Sequence, residues 1–501
     1  MTDPAAARAG TRRLVSGVVW NMLGRGLPLV VALALTPPLV AALGIERWGL
    51  FTLALGLVGV FGVFDLGLGA ALTRTLAERI GRGERAGEGA LVASALALLL
   101  VLSMLLAAAL WLAVPALVER GLNVPPPLQA EAVAGLRVLA AAAPLVVVNA
   151  ALWGVLAAHQ RFRAANLAAM PVAVLYYLGP LLVLLVWDSL AGVMVALVGA
   201  RLLNTVAYAA LIRRIVPGIS PRAVSLRAVA PLLRLGGWMS LSGVLTQVSL
   251  YADRFLIGAL LSLAAVAFYA TPLDLVMRLW ILPVAVAQAL LPALASSFRA
   301  MPGETAALLR RGTLLIAGLV LPGCAALSVL AHPLLRLWLG AAFADGGAEV
   351  LRILAVGILF SCAGFAPGSL LDAIGRPDVT ARFALALALV SLPVTVLLLL
   401  VAGIEGAAVA WSLRAAVECG GRMLLAARLY PAAAPALRRI APVLAAAGIG
   451  LAAVAAMPSL PLASGTGALM LAGVAALGWR ALEAGERATL ARPQHWLRRA
   501  A

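Results

Sequence analysis

Five arginines stand where a lipid-soluble helix should carry none. Arg25, Arg201, Arg254, Arg278 and Arg414 each fall near the centre of a long apolar run, and the acids Asp65, Asp253, Asp274 and Glu418 lie at similar depth. A charge at a bilayer centre costs roughly 2.5–3.5 kcal/mol on insertion scales, so each of these groups needs a partner or a purpose. Guanidinium presents a planar fork of donors and a charge that does not titrate, which suits it to phosphate. A carboxylate at the same depth can tie a helix, gate a path or carry a proton.

Spacing sorts these groups. Ser240, Gly243, Gln247, Tyr251 and Arg254 follow one another at intervals of 3, 4, 4 and 3, which is one helical face. Ser242, Thr246, Ser249 and Asp253 form the adjoining stripe. So wide a polar face must look at other helices or at water. Asn21, Arg25 and Pro28 align in the same way, and no acid nearby on that helix neutralises Arg25. Asp274 and Arg278 are four apart, on a stripe that continues through Ala285, Gln288 and Pro292. Arg414 and Glu418 are also four apart and read as a structural pair. The expectation is a cationic cavity with Arg25, Arg254 and Arg278 as the anion-binding groups, lined by Asn21, Gln247, Tyr251 and Gln288. The plainer alternative is bridging between helices, for example Arg25 with Asp65 or Asp253. Asp65, beside Gly67 and Gly69, reads as a bend near a membrane surface, either gating or capping.

The elements that must hold these residues are apolar helices. The chain has 501 residues, 64% hydrophobic and 12% charged, which excludes a soluble domain with an ordinary surface. Spans are expected at about 14–41, 48–71, 90–118, 133–157, 166–187, 190–212, 235–261, 264–292, 312–335, 350–371, 382–402, 405–427, 440–457 and 464–482. Each is long enough to cross lipid, and each must be helical because its backbone has no other partner there. The fold class is therefore all-α, a polytopic membrane protein with 14 transmembrane helices.

The net charge of +18 comes from arginine with no lysine. Apart from the five central ones, 28 arginines fall toward one side and 5 toward the other, the minority being Arg47, Arg120, Arg137, Arg336 and Arg352. The positive-inside rule puts both termini in the cytoplasm and explains the basic charge without nucleic acid. The interrupted apolar run near the N-terminus, broken by Asn21, Arg25 and Pro28, does not read as a cleavable signal. Cys324, Cys362 and Cys419 lie in apolar runs and read as small buried hydrophobes. No P-loop, GxSxG elbow or HExxH is present, and no connection is long enough for an outer catalytic domain, so neither an enzyme nor a cofactor or metal is expected.

The chain also matches itself. At a shift of 218, Trp20 meets Trp238 and "ALGIERWGLFTLAL" lies on "LLSLAAVAFYATPL"; at a shift of 213, Arg201 meets Arg414. Two six-helix lobes related by pseudo-symmetry follow, over 1–217 and 218–432, with two extra helices and a basic cytoplasmic tail over 433–501. Like halves around a midplane cavity form a transporter layout. The expected spans 3, 13 and 14 carry few polar groups and suit a lipid-facing ring.

The stretch "LGIERWGLFTLALGLVGVFGVFDLGLGAALTRTLAE" (43–78), with "ADRFLIGALLSLAAVAFYA" (252–270) and "DAIGRPD" (372–378), resembles the polysaccharide transporters, the Wzx-type oligosaccharide flippases. Their superfamily also contains multidrug and toxin extruders and lipid II flippases. The residues that carry the likeness are Leu43, Gly44 and Gly49, Asp65 to Gly69, and Arg74, Ala77 and Glu78. Trp48 stands where tyrosine or phenylalanine is more usual. The resemblance implies alternating access and a lipid-linked oligosaccharide, usually on undecaprenyl diphosphate, flipped across the cytoplasmic membrane for cell-surface polysaccharide. It also implies membrane lipid and a coupling ion, H+ or Na+, as partners, with a polysaccharide polymerase and glycosyltransferases beside them. Arg25 is similar in place to a cavity arginine of the lipid II flippases, and Asp253 or Asp274 would carry a coupling proton. The alternatives are a cation-exporting drug transporter of the same fold and a lipid II flippase.

Overall fold

The computed structural model describes residues 26, 28–61, 68–216, 218–225, 250–484, 486 and 487. Among the described residues there is helix and no strand. Ten helices among the described residues are long and apolar enough to cross a membrane. One of them, Asp378–Leu429, is two spans joined at a sharp bend, where Ala402 (φ −130°, ψ 19°) and Gly403 (φ 59°, ψ −143°) leave helical geometry. Only glycine adopts that second conformation without strain. The expected first, second and seventh spans run into residues outside the described set, so the structure does not settle the count of fourteen. The chain is a multi-pass membrane protein.

The contacts divide the chain into two compact units, Met1–Ala267 and Phe268–Ala501. In the first unit, α1 (Pro28–Leu43) turns at Gly44, φ 76°, into α2 (Ile45–Phe61). Then come α3 (Leu68–Gly81), α4 (Glu88–Ala116), α5 (Pro126–Ala141), α6 (Ala143–Ala158), α7 (Phe162–Leu184) and α8 (Leu190–Ile215). A further helix, α9, covers 250–260. The core joins α3, α4, α6 and α8: Leu68, Leu72 and Leu76 meet Leu91, Val92 and Leu99, then Val147, Leu152 and Val155, and Tyr208 and Ile212. The free faces of α4 are apolar, with Leu105 at 65% and Leu112 at 78% exposure. A face of that kind in a spanning helix belongs against lipid.

The next helix, α10 (Leu263–Met277), starts in the first unit and ends in the second. The second unit continues with a 3-10 turn at Arg278–Trp280, α11 (Ile281–Ser297), α12 (Pro302–Val329), α13 (Ala331–Leu339), α14 (Ala341–Ala363) and α15 (Phe365–Ala373). The bent α16 (Pro377–Leu429), α17 (Ala434–Ala455) and α18 (Leu460–Ala481) complete it. Small residues let these helices close on one another, as membrane packing requires. A side chain at Gly448 would strike the Phe360 ring, and one at Gly421 the Phe383 ring. All three cysteines are free and buried in this unit, as small hydrophobes.

Candidate functional site

The backbone of α2 makes the first half of the site. Gly49, Gly56 and Gly59 share the face that receives α9 and the start of α10. A Cβ at Gly49 would collide with the carbonyl oxygen of Leu263, and one at Gly59 with the Tyr251 ring. At Gly56 it would lie 3.4 Å from Tyr251 and 3.9 Å from Cδ of Arg254. The glycines therefore let α9 settle deeply, carrying two charged residues into the packed interior. Asp253 and Arg254 are each 5% exposed. The Arg254 guanidinium lies 5.6 Å from the centroid of the Tyr251 ring, a cation–π arrangement. Tyr251, Asp253 and Arg254 all make further interactions, so none is free.

The far end of α9 is held by a residue the sequence reading gave no role. The Asn123 backbone N–H donates to the Gly258 carbonyl at 2.8 Å. Its side-chain amide donates to the carbonyls of Ala259 and Leu261 at 3.1 and 3.0 Å. The last carbonyls of a helix have no intrahelical donor, and Asn123 supplies donors to them.

The second unit carries the other described candidates. Asp274 is half-buried and Arg278 exposed, where α10 passes into the 3-10 turn. Ala285, Gln288 and Pro292 are exposed as well, so the stripe is uncovered from Arg278 onward. In α16, Arg414 lies 3.8 Å from Glu418, while Arg422 reaches the same carboxylate at 2.5 Å. The expected pair is thus a triad, with Arg422 as its tighter arm and the Arg414 guanidinium 5.9 Å from the Trp411 ring. Asn21, Arg25, Asp65 and Gln247 lie outside the described residues.

Three further clusters escaped the sequence reading because their partners are distant in sequence. Arg47 links α2 to Glu131 of α5 at 2.9 Å and to Asp188 at 2.7 Å, while Glu131 also accepts the first N–H of α8, from Leu190. Glu88, in the first turn of α4, meets His159 just beyond α6 at 2.6 Å, both about 95% buried. Arg310 of α12, 3% exposed, donates to Glu483 and Glu486, and Arg311 joins Glu486 at 2.6 Å. Burial raises the Glu486 pKa, but hydrogen bonds from Arg310, the Glu483 backbone N–H and Arg311 outweigh it and pull the carboxyl down to about 2.

A family model described as polysaccharide biosynthesis protein matches residues 14–298, more than half of the chain. The chain belongs to the polysaccharide biosynthesis protein family. The matched stretch includes all of the α2–α9 seat with its glycines, Tyr251 and Arg254. Within reach of this family, the chain is similar to a Shigella flexneri protein that carries the name of an O-antigen transporter, at 24% identity over 416 residues, 81% of this chain and 96% of that protein. Among solved structures it is similar to the lipid II flippase MurJ in an inward closed conformation, with a TM-score of 0.69 at 13% identity, over 93% of this chain and 99% of that one. An inward-facing multidrug resistance transporter of the MATE family gives 0.69 at 17% identity, over 82% and 98%. A transporter of the same superfamily from Pyrococcus furiosus, whose binding pocket is described as reversed in polarity, gives 0.60 at 16% identity, over 83% and 96%. At these identities the structures establish a shared fold.

Proposed function

We propose that this member of the polysaccharide biosynthesis protein family moves a lipid-linked oligosaccharide across the cytoplasmic membrane by alternating access. The anionic diphosphate docks on Arg254 with Arg25 and Arg278, and the chain is read as two six-helix lobes, 1–217 and 218–432. In this reading fourteen helices span the inner membrane, both termini lie in the cytoplasm, and α17 and α18 serve the prenyl tail. Asp65 gates or caps the cytoplasmic mouth, and Asp253 or Asp274 carries a coupling H+ where the driving ion is not Na+. The protein works beside a polymerase and glycosyltransferases and performs no covalent chemistry itself.

The observation that carries this reading is Arg254. A guanidinium only 5% exposed, on a helix admitted by three glycines, is an expensive feature to keep in an apolar bundle. A cation exporter would want an excess of acid at this depth; the central groups here are five arginines against four acids.

The test uses the full chain in proteoliposomes with a prenyl-diphosphate-linked oligosaccharide. Arg25→Ala and Arg254→Gln should each cut translocation by about 100-fold, the scale of losing one charge-assisted bidentate contact. Arg25→Ala should leave thermal stability unchanged. Wild-type rates in both variants would end the diphosphate assignment, and ion-driven efflux of organic cations with no lipid flipping would favour the drug-exporter alternative.

A further inference from the structure

Arg201 is a central arginine that the diphosphate reading leaves unused. It stands on α8 with Asn204, Thr205 and Tyr208, on the face opposite the stripe of Val195, Leu202 and Val206, which are 49%, 50% and 57% exposed. The apolar stripe is the one suited to lipid. The polar face turns instead toward α6 and α7 of its own unit, where Arg201 is half-buried.

Its guanidinium carbon lies 5.6 Å from the centroid of the Tyr176 ring on α7. No carboxylate among the described residues pairs with it. A contact with a ring commits none of the guanidinium N–H groups to a carboxylate, and guanidinium donors suit a planar anion.

The surroundings are polar in both senses. Asn149, 8% exposed on α6, donates to the Thr205 hydroxyl at 3.3 Å and accepts from the Asn204 amide at 3.4 Å. Asn204 also hydrogen-bonds Tyr208, yet its Oδ1 is buried with no donor to it. An orphaned buried acceptor costs on the order of 1–3 kcal/mol, so this one is satisfied when a ligand O–H arrives.

We propose that Arg201, Tyr176, Asn149, Asn204 and Thr205 form a second subsite, one that recognises a negatively charged sugar of the passenger glycan. The fork of Arg201 takes the carboxylate of a uronate-type residue. The Asn204 oxygen takes one of its hydroxyls. This deepens the flippase reading and rests on it: the subsite selects the glycan, where Arg254 serves the diphosphate common to all such passengers.

The experiment uses purified full-length protein in lipid nanodiscs and three probes: farnesyl diphosphate, a farnesyl-diphosphate-linked disaccharide ending in glucuronate, and its glucose counterpart. Wild-type protein should prefer the glucuronate probe by about ten-fold or more, the worth of one charge-assisted contact. Arg201→Gln should erase that preference and leave farnesyl diphosphate affinity unchanged. Arg201→Lys, which keeps the charge but loses the fork, should reduce the preference and covers the case in which the glutamine variant fails to fold. Equal affinity for the two glycan probes in wild type, or a preference that survives in Arg201→Gln, overturns the subsite. Failure of wild type to bind farnesyl diphosphate sinks the flippase reading instead, and the sugar preference is then read on the free disaccharides.

Discussion

Arg201 and Arg414 stand 213 residues apart on apolar helices, α8 and α16, yet they live in different electrostatic circumstances. Each lies within cation–π range of an aromatic ring, Tyr176 at 5.6 Å in one case and Trp411 at 5.9 Å in the other. The difference lies one helical turn onward. Arg414 is followed by Glu418, which it meets at 3.8 Å and shares with Arg422. Arg201 is followed by Thr205, a neutral group whose hydroxyl donates to the Arg201 carbonyl at 2.9 Å. One charge is neutralised by its own helix and holds structure. The other has no carboxylate paired with it among the described residues.

A single exchange should break the contrast with the largest effect. Thr205→Glu sets an acid four residues from Arg201, the arrangement of the second unit. It should cut translocation of a uronate-bearing lipid-linked glycan by about 100-fold while leaving the fold intact, because the new pair occupies the fork. A flipping assay run beside a thermal melt separates the two; full activity would mean that Arg201 has no ligand.

The reverse exchange sharpens the comparison from the other side. Glu418→Thr leaves Arg414 and Arg422 as neighbouring cations, each with its side chain at most a quarter exposed. The expected result is a loss of about 2 kcal/mol in stability, since breaking an ion pair withdrawn from water strands its partners. Melting of the detergent-solubilised protein measures this, and specificity for the sugar should stay as in wild type.

A smaller effect is expected at the edge of the second unit. Glu486→Gln removes the carboxylate that binds Arg310 and Arg311 and should cost on the order of 1 kcal/mol, because Arg311 and Glu483 are more than half exposed and screened. The pH dependence has a definite sign. The folded carboxyl sits at about 2, below its ordinary value of 4.5. Its contribution is therefore complete above pH 4.5 and is lost as the pH falls toward 2. The wild-type melting temperature should drop over that window more steeply than that of the glutamine variant.

Much of the architecture was legible because lipid admits few solutions. An apolar run of some 20 residues must be a helix, so spans such as 90–118 and 190–212 reappear as the helices Glu88–Gly121 and Leu190–Ile215. Helical periodicity also put Tyr251 and Arg254 on one face, and the structure holds them within cation–π range. A spacing of four made Arg414 and Glu418 a pair before any coordinates existed. What escaped was contact between residues far apart in the chain. Arg47 with Glu131, Glu88 with His159, and Arg310 with Glu486 bear no signature of spacing.

By itself, then, the sequence determined the solvent and the secondary structure: apolar length selects helices, and periodicity decides which side chains share a face. Tertiary structure decided what meets a charge that its own helix leaves unpaired. Trp411 and Glu418 stand three and four residues from Arg414 on one helix and follow from spacing, but nothing in α8 says that Tyr176 of α7 would come to lie near Arg201. That contact depends on distances of a few ångströms between helices, and only packing sets those distances.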